Sequence, residues 1–248
     1  MARAADLAER VVRFFLMTAL WTARQSMQDF AELRTKMVDT QLRTNSVTSY
    51  RILDAMEAVP REMFLSPALR PIAYADADIP VAESSDEKRF LQKPMVFAKL
   101  IQAAEIKPDD FVLVVGCNSG YALAVVAQLA GAVVGVEGDT GLAQRADELM
   151  TELGVENADV VQGPLTKGCA SQGPYDVILF DGAAETVPDE IVEQLRDGGR
   201  LVYVDGEGRS AQAIVLHKSD GTIGRRAVFN ASAPMLPGFE REIGFTFE

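Results

Sequence analysis

Cysteine and histidine are almost missing from this 248-residue chain, which holds two cysteines, Cys117 and Cys169, and one histidine, His217. Neither type falls at metal-ligand spacing, so no metal site is expected, and a disulfide-stapled scaffold is excluded. The scarcity fits a reducing cytoplasm. A Lys/Arg run is lacking too: 24 basic against 36 acidic residues leave a net charge of −12, which repels phosphate backbones, so no nucleic-acid partner is expected. Val11–Trp21, apolar except for Arg13 and Thr18, is too short to cross a bilayer, and no stable membrane insertion is expected.

What the chain does have is the stretch Phe111 to Glu137. It reads as a buried strand (Phe111–Val115), a glycine turn (Gly116-Cys117-Asn118-Ser119-Gly120), a helix (Tyr121–Ala130) and a second strand (Val133–Val136) closed by an acid. Continuous apolar runs beside helical patterns are what a parallel sheet covered on both faces requires. The turn is expected to present free backbone N–H groups at a helix N-terminus, where a ligand anion can be held. Glu137 follows the first glycine by about 20 residues, the spacing at which an acid accepts hydrogen bonds from ribose hydroxyls. Tyr121 stands where a dinucleotide fingerprint wants its third glycine, and the Gly-Lys-Ser/Thr end of a P-loop is absent, so both readings weaken. Cys117 is either a thiol activated by the helix terminus or a small residue fitting a tight loop, and the second reading is preferred.

Residues 1–26 read as an amphipathic helix packing on the domain or on a partner; a leader segment and an extension upstream of an alternative start at Met27 are the other readings. From Asp29, placed to cap, the pattern is helical, with Phe30, Leu33, Met37 and Val38 on one stripe. A second helix is expected to start at Ser46 as its cap and to carry Val47, Ile52, Leu53 and Met56 inward, and Pro60 to open a turn over Arg61–Phe64. These elements, with the polar loop Glu83–Arg89, form a cover and substrate loop (27–105) on a core (106–248), within one domain spanning 27–248.

Beyond Glu137 the sequence predicts a helix over Leu142–Leu153 and strands over Ala158–Val161 and Tyr175–Phe180. Asp181 then closes the last of these at the carboxyl edge of the sheet, where open α/β sheets bind ligands. Asp181 faces the reacting groups or ties down the loop Gly182-Ala183-Ala184. Pro188 opens a helix to Leu195, and Arg200–Val204 is a further strand. Ala211–His217, Arg225–Asn230 and Glu240–Phe247 read as antiparallel strands, with Asp220-Gly221 as a turn and His217 structural.

The glycine turn resembles the G-x-G-x-G loop of S-adenosylmethionine-dependent methyltransferases, with Asn118, a residue tolerating positive φ, at the middle glycine. Ile52–Phe64, Ala73-Tyr74-Ala75-Asp76, Ile79-Pro80, Pro94–Ala98, Val136-Glu137, Tyr175–Asp181 and Gly198–Val202 together resemble protein-L-isoaspartate O-methyltransferases over roughly residues 46–205. The resemblance implies a class I methyltransferase fold: a Rossmann-like, doubly wound, mostly parallel sheet with an N-terminal helical cover and C-terminal antiparallel strands. It also implies S-adenosylmethionine as cofactor, and an isoaspartyl-containing protein or another carboxylate as acceptor. Gly116, Cys117, Asn118, Ser119, Gly120, Glu137 and Gly163 would hold the cofactor, and Gln92, Lys93 and Asp181 would face the acceptor.

Several residues depart from that family's pattern. Leu91-Gln92-Lys93-Pro94 stands for Ile-Ser-Gln-Pro, Glu83–Arg89 for a glycine-rich Gly-x-Gly-Gln-Thr, Val114 for an acid, and Gly163-Pro164-Leu165 for Gly-Asp-Gly. Each lost carboxylate near a cationic ligand would cost about 1–3 kcal/mol of binding. The alternative reading is therefore a catalytically weak or inactive relative acting as an interaction or regulatory module; a nicotinamide oxidoreductase is a distant third. Nothing in the residues specifies an oligomeric state.

Overall fold

The computed structural model describes residues 29–81 and 89–241. The readings of residues 1–26, of the polar loop up to Lys88 and of a strand over Glu240–Phe247 lie wholly or mainly outside them. A helix over 29–37 (α1) runs into a π-helical turn, Val38–Leu42, and a 3₁₀ turn, Arg43–Asn45. Ser46 does not cap the next helix: it sits at φ 65°, and α2 (Tyr50–Ala58) begins after Ser49. Pro60 leads into the 3₁₀ turn Arg61–Phe64, as its fixed φ favours. Two short antiparallel strands, β1 (Ile79–Pro80) and β2 (Phe90–Leu91), then lead to α3 (Pro94–Ala104), with Pro94 at a helix position needing no N–H.

The core is a seven-stranded sheet, in the order β5-β4-β3-β6-β7-β8-β9. Its strands are β3 (Phe111–Val115), β4 (Ala132–Glu137), β5 (Ala158–Gln162), β6 (Tyr175–Ala184), β7 (Leu195–Asp205), β8 (Gln212–Ser219) and β9 (Thr222–Asn230). The first five pair in parallel, and β8 and β9 add an antiparallel hairpin through the turn Asp220-Gly221, both residues at positive φ. Helix α4 (Tyr121–Ala127) links β3 to β4, α5 (Thr140–Glu152) links β4 to β5, and the short α6 (Asp189–Val192) precedes β7. This is the mostly parallel, Rossmann-like architecture expected.

Alternate residues of each strand divide the core. Val112, Val114, Val177, Leu179 and Val202 face α3, α4 and the cover; Leu113, Val115, Ile178, Phe180 and Leu201 face Ile191 of α6 and the C-terminal residues Leu236 and Phe239. Both faces are buried, which explains why stretches such as Phe111–Val115 and Val177–Phe180 read as unbroken apolar runs. Two boundaries differ from expectation. Helix α4 stops at Ala127, three residues early, where Gln128–Ala130 tighten into turns. Strand β6 continues past Asp181 to Ala184 across a register irregularity between Leu179 and Ala183, so Asp181 lies within the strand, at that irregularity.

No helix among the described residues is long and apolar enough to cross a membrane. Cover and sheet are tied at Arg200. Its Nη2 lies 2.6 Å from Asp110 Oδ2 and 2.6 Å from the Glu105 carbonyl, while Nε donates to the Ala104 carbonyl at the end of α3. Both charged side chains are buried. Arg200→Ala is expected to lower unfolding free energy by about 3–5 kcal/mol, because Asp110 is left buried and unpaired. Urea denaturation checks this: the midpoint should fall at constant slope, and an unchanged midpoint would refute it.

Candidate active site

The strand order reverses between β3 and β6, and at this switch point open α/β sheets form their ligand crevice. Val115 and Asp181 lie on the two flanking strands, and Glu137 ends the neighbouring β4. The glycine turn takes the expected conformation, with Gly116 at φ 77°, Asn118 at 61° and Gly120 at 99°. Its amides, however, are not free. Gly116 and Cys117 N–H donate to the Val136 carbonyl, Asn118 N–H to Glu137 Oε2 at 2.7 Å, and Gly120 N–H to the Cys117 carbonyl. Four of the turn's five amides are thus already paired, and α4 is short.

Glu137 is fully buried, and its carboxylate is fully engaged. Oε1 accepts from Arg89 Nη1 at 2.7 Å, from Gly138 N–H at 2.9 Å and from Asp139 N–H at 3.1 Å; Oε2 accepts from Asn118 N–H. Arg89 Nη2 donates to the Gly116 carbonyl at 2.9 Å. The cradle that glycine leaves for a ligand is also taken: a β-carbon on Gly116 would stand 2.7 Å from Leu236 Cδ2 and 2.9 Å from Arg89 Nη2. One on Gly182 would stand 2.6 Å from Leu236 Cγ. Donor types and positions suit an adenosyl ligand, and Arg89 and Leu236 stand against the glycine turn and the sheet edge that it would approach.

Of the residues expected at the cofactor, Ser119 donates its hydroxyl to the Phe64 carbonyl, and Gly163 N–H donates to the Glu137 carbonyl. Asn118 turns its amide to the Phe90 carbonyl, at 2.8 Å, rather than toward the crevice. Cys117 packs against Gly135, and burial pushes its thiol well above the usual range, with Glu137 adding to the effect; it is the small loop residue, not a reactive thiol. A cavity of about 570 Å³, lined by Phe64, Arg70, Ser119, Asp139 and Arg145 among others, opens beside the turn, but Glu137 is not in its wall.

Gln92 and Asp181 meet in a buried polar cluster with Arg61 and Tyr121. Fully buried Arg61 donates to the carbonyls of Ala73 and Gln92, and its guanidinium lies 4.7 Å from the Tyr121 ring centroid. Arg61 Nη1, both polar atoms of the Gln92 amide, Asn118 Oδ1 and Tyr121 Oη find no partner among the described residues. The Gln92 amide lies beside Asp181 without closing a hydrogen bond of ordinary geometry. Burial pushes the Asp181 carboxyl up to about 7, Arg89 and Arg61 pull it back, and Glu137 pushes it further up. Lys93 stands apart, with its N–H on Asp78 Oδ1 at 2.8 Å and its ammonium 3.9 Å from Asp78 Oδ2.

Arg61, Arg89 and Leu236 were not singled out from the sequence. Pro60-Arg61, within the stretch Ile52–Phe64 that carries the resemblance, held a signal for the first. The other two carry none: Arg89, ending a charged loop, reads as solvated, and Leu236 lies in a stretch without a motif.

The model of the protein-L-isoaspartate(D-aspartate) O-methyltransferase family matches residues 32–231. The chain is 35% identical to a protein-L-isoaspartate O-methyltransferase of Koribacter versatilis over 203 residues, 82% of this chain and 90% of that protein. It is also 35% identical to one from Syntrophobacter fumaroxidans, covering 78% and 88%. Among solved structures, a protein-L-isoaspartate O-methyltransferase superposes with a TM-score of 0.73 at 25% identity, over 83% of this chain and 66% of that one. A Plasmodium falciparum structure assigned to the same enzyme type, in complex with S-adenosyl-L-homocysteine, gives 0.67 at 18% identity, over 81% and 96%, a likeness of fold.

An acid whose midpoint is raised in the folded state binds its proton more tightly there than when unfolded. The contribution of Asp181 to stability is therefore full below about pH 4 and is lost as pH rises through about 7. At about 1.4 kcal/mol per pH unit the loss has an upper limit of about 4 kcal/mol. Urea unfolding at pH 5 and pH 8 should show Asp181→Asn without this part of the decline, and identical profiles for the two proteins would refute the assignment.

Proposed function

This chain belongs to the protein-L-isoaspartate(D-aspartate) O-methyltransferase family, and from that premise we propose that it transfers a methyl group from S-adenosylmethionine to a carboxylate acceptor. The first candidate acceptor is the isoaspartyl residue of a damaged protein, in a repair role in the cytoplasm. The observation that carries this reading is the meeting, at the sheet's switch point, of the glycine turn, Glu137 and the cluster of Gln92, Asp181 and Arg61. Such a reaction asks little acid–base chemistry, because an acceptor carboxylate with a pKa near 4 is already ionised at neutral pH. This chain's residues would supply orientation and exclusion of water. Arg61 offers a fixed positive charge beside the cluster, and a protonated Asp181 would not repel an anionic acceptor.

Opening the crevice has a cost. Separating a buried ion pair costs about 3–5 kcal/mol and uncovering a leucine about 1.5–3 kcal/mol, so affinity would fall by three decades or more. That observation favours a second reading, a non-catalytic family member serving as an interaction or regulatory module. Val114 and Pro164, in place of two family acids, point the same way.

With labelled S-adenosylmethionine, the first reading expects an isoaspartyl peptide to be methylated and its aspartyl twin to stay unlabelled, with half-saturation in the millimolar range. Heat on cofactor addition without labelling of either peptide would move the acceptor to another carboxylate. Absence of both heat and labelling would leave the second reading.

A further inference from the structure

We infer that Arg89 and Leu236 are the specificity-determining residues of the crevice: the chain supplies its own occupant for the place of a sulfonium nucleoside. This rests on reading that crevice as a cofactor place. Arg89 makes two bonds, one to the acid that would accept ribose hydroxyls and one to the carbonyl of the first glycine of the turn. A guanidinium is a rigid fork of N–H donors, so it satisfies both acceptors at once. It also places a positive charge where a cationic ligand would have to come, which penalises a sulfonium beyond the loss of space.

The position of Arg89 is fixed from both sides. Its carbonyl accepts from Val81 N–H at 2.9 Å, and the next carbonyl, that of Phe90, accepts from the Asn118 amide at 2.8 Å. Asn118 thus draws β2 onto the turn through its side chain while its backbone N–H holds Glu137. Two departures from the family's pattern, Asn118 in the turn and Arg89 at the end of the altered loop, act as one device.

Leu236 arrives from the other end of the chain. The segment after β9 crosses the end of β6, with Ala183 N–H donating to the Pro234 carbonyl at 2.8 Å and Leu236 N–H to the Ala183 carbonyl at 2.9 Å. The leucine is almost fully buried over Gly116 and Gly182, the two glycines that flank the switch point. A ligand must therefore displace occupants held by separate segments.

Calorimetric titration of the full chain, Arg89→Ala, Leu236→Ala and the double variant with S-adenosylmethionine and with uncharged S-adenosylhomocysteine tests this. Each single variant should bind about tenfold tighter or more than the unmodified chain, and the double variant tighter still. Arg89→Ala should improve S-adenosylmethionine more than S-adenosylhomocysteine, since it removes a like charge. Because Arg89→Ala strands the charge of Glu137, its folding is checked by circular dichroism; if it does not fold, Leu236→Ala, which leaves the ion pair intact, decides alone. Unmodified chain binding as tightly as the variants would overturn the inference and leave methyl transfer standing. Tight binding by the variants with no carboxylate peptide methylated would sink methyl transfer and uphold the inference. No binding by any form would overturn both.

Discussion

A single buried carboxylate sets the local structure. Glu137 is completely shielded from water, and an isolated charge in that position would be prohibitively costly, so the chain must bring donors to it. It does so from three directions: the backbone just beyond β4, the backbone N–H of Asn118 and the Arg89 guanidinium. The conformation of the glycine turn, the seating of β2 and the closure of the crevice all depend on meeting that demand. Desolvation makes the arrangement close to all-or-none, since losing one donor exposes the remaining charge to a low-dielectric surrounding.

Much of the fold could be read in advance because its causes are local. A strand covered on both faces must be apolar where it is covered, and Phe111–Val115 and Val177–Phe180 are. Asn118 tolerates left-handed backbone, and it adopts it. Element ends were less legible: Ser46 has the chemistry of a cap, yet it occupies the left-handed turn instead, and the extension of β6 past Asp181 comes from pairing with β7 rather than from its own residues. The contents of the crevice were least legible. That Arg89 faces inward follows from a partner 48 positions away, and Leu236 matters only because the C-terminal segment returns to β6.

The scaffold and its site answer to different requirements. Val114, which the resemblance reads as replacing an acid, is fully buried in the apolar cluster beneath α3 and α4, where it packs without the desolvation penalty of a carboxylate. The sheet is indifferent to that exchange, or favours it, whereas ligand binding would not be. Fold and family are therefore carried by the same strands irrespective of what the crevice can hold, and chemistry must be argued from the side chains within it.

The amide of Asn118 on the Phe90 carbonyl also constrains how the sequence can change over time. Exchanging Asn118 for glycine while Arg89 remains removes the strap and leaves a part-buried carbonyl without its donor, a loss set against the ease with which glycine takes the left-handed backbone there. Once Arg89 has gone, β2 has less to hold in place and the same exchange loses much of its penalty. Asn118 and Arg89 share one bonded network, so the effect of exchanging either depends on which residue stands at the other.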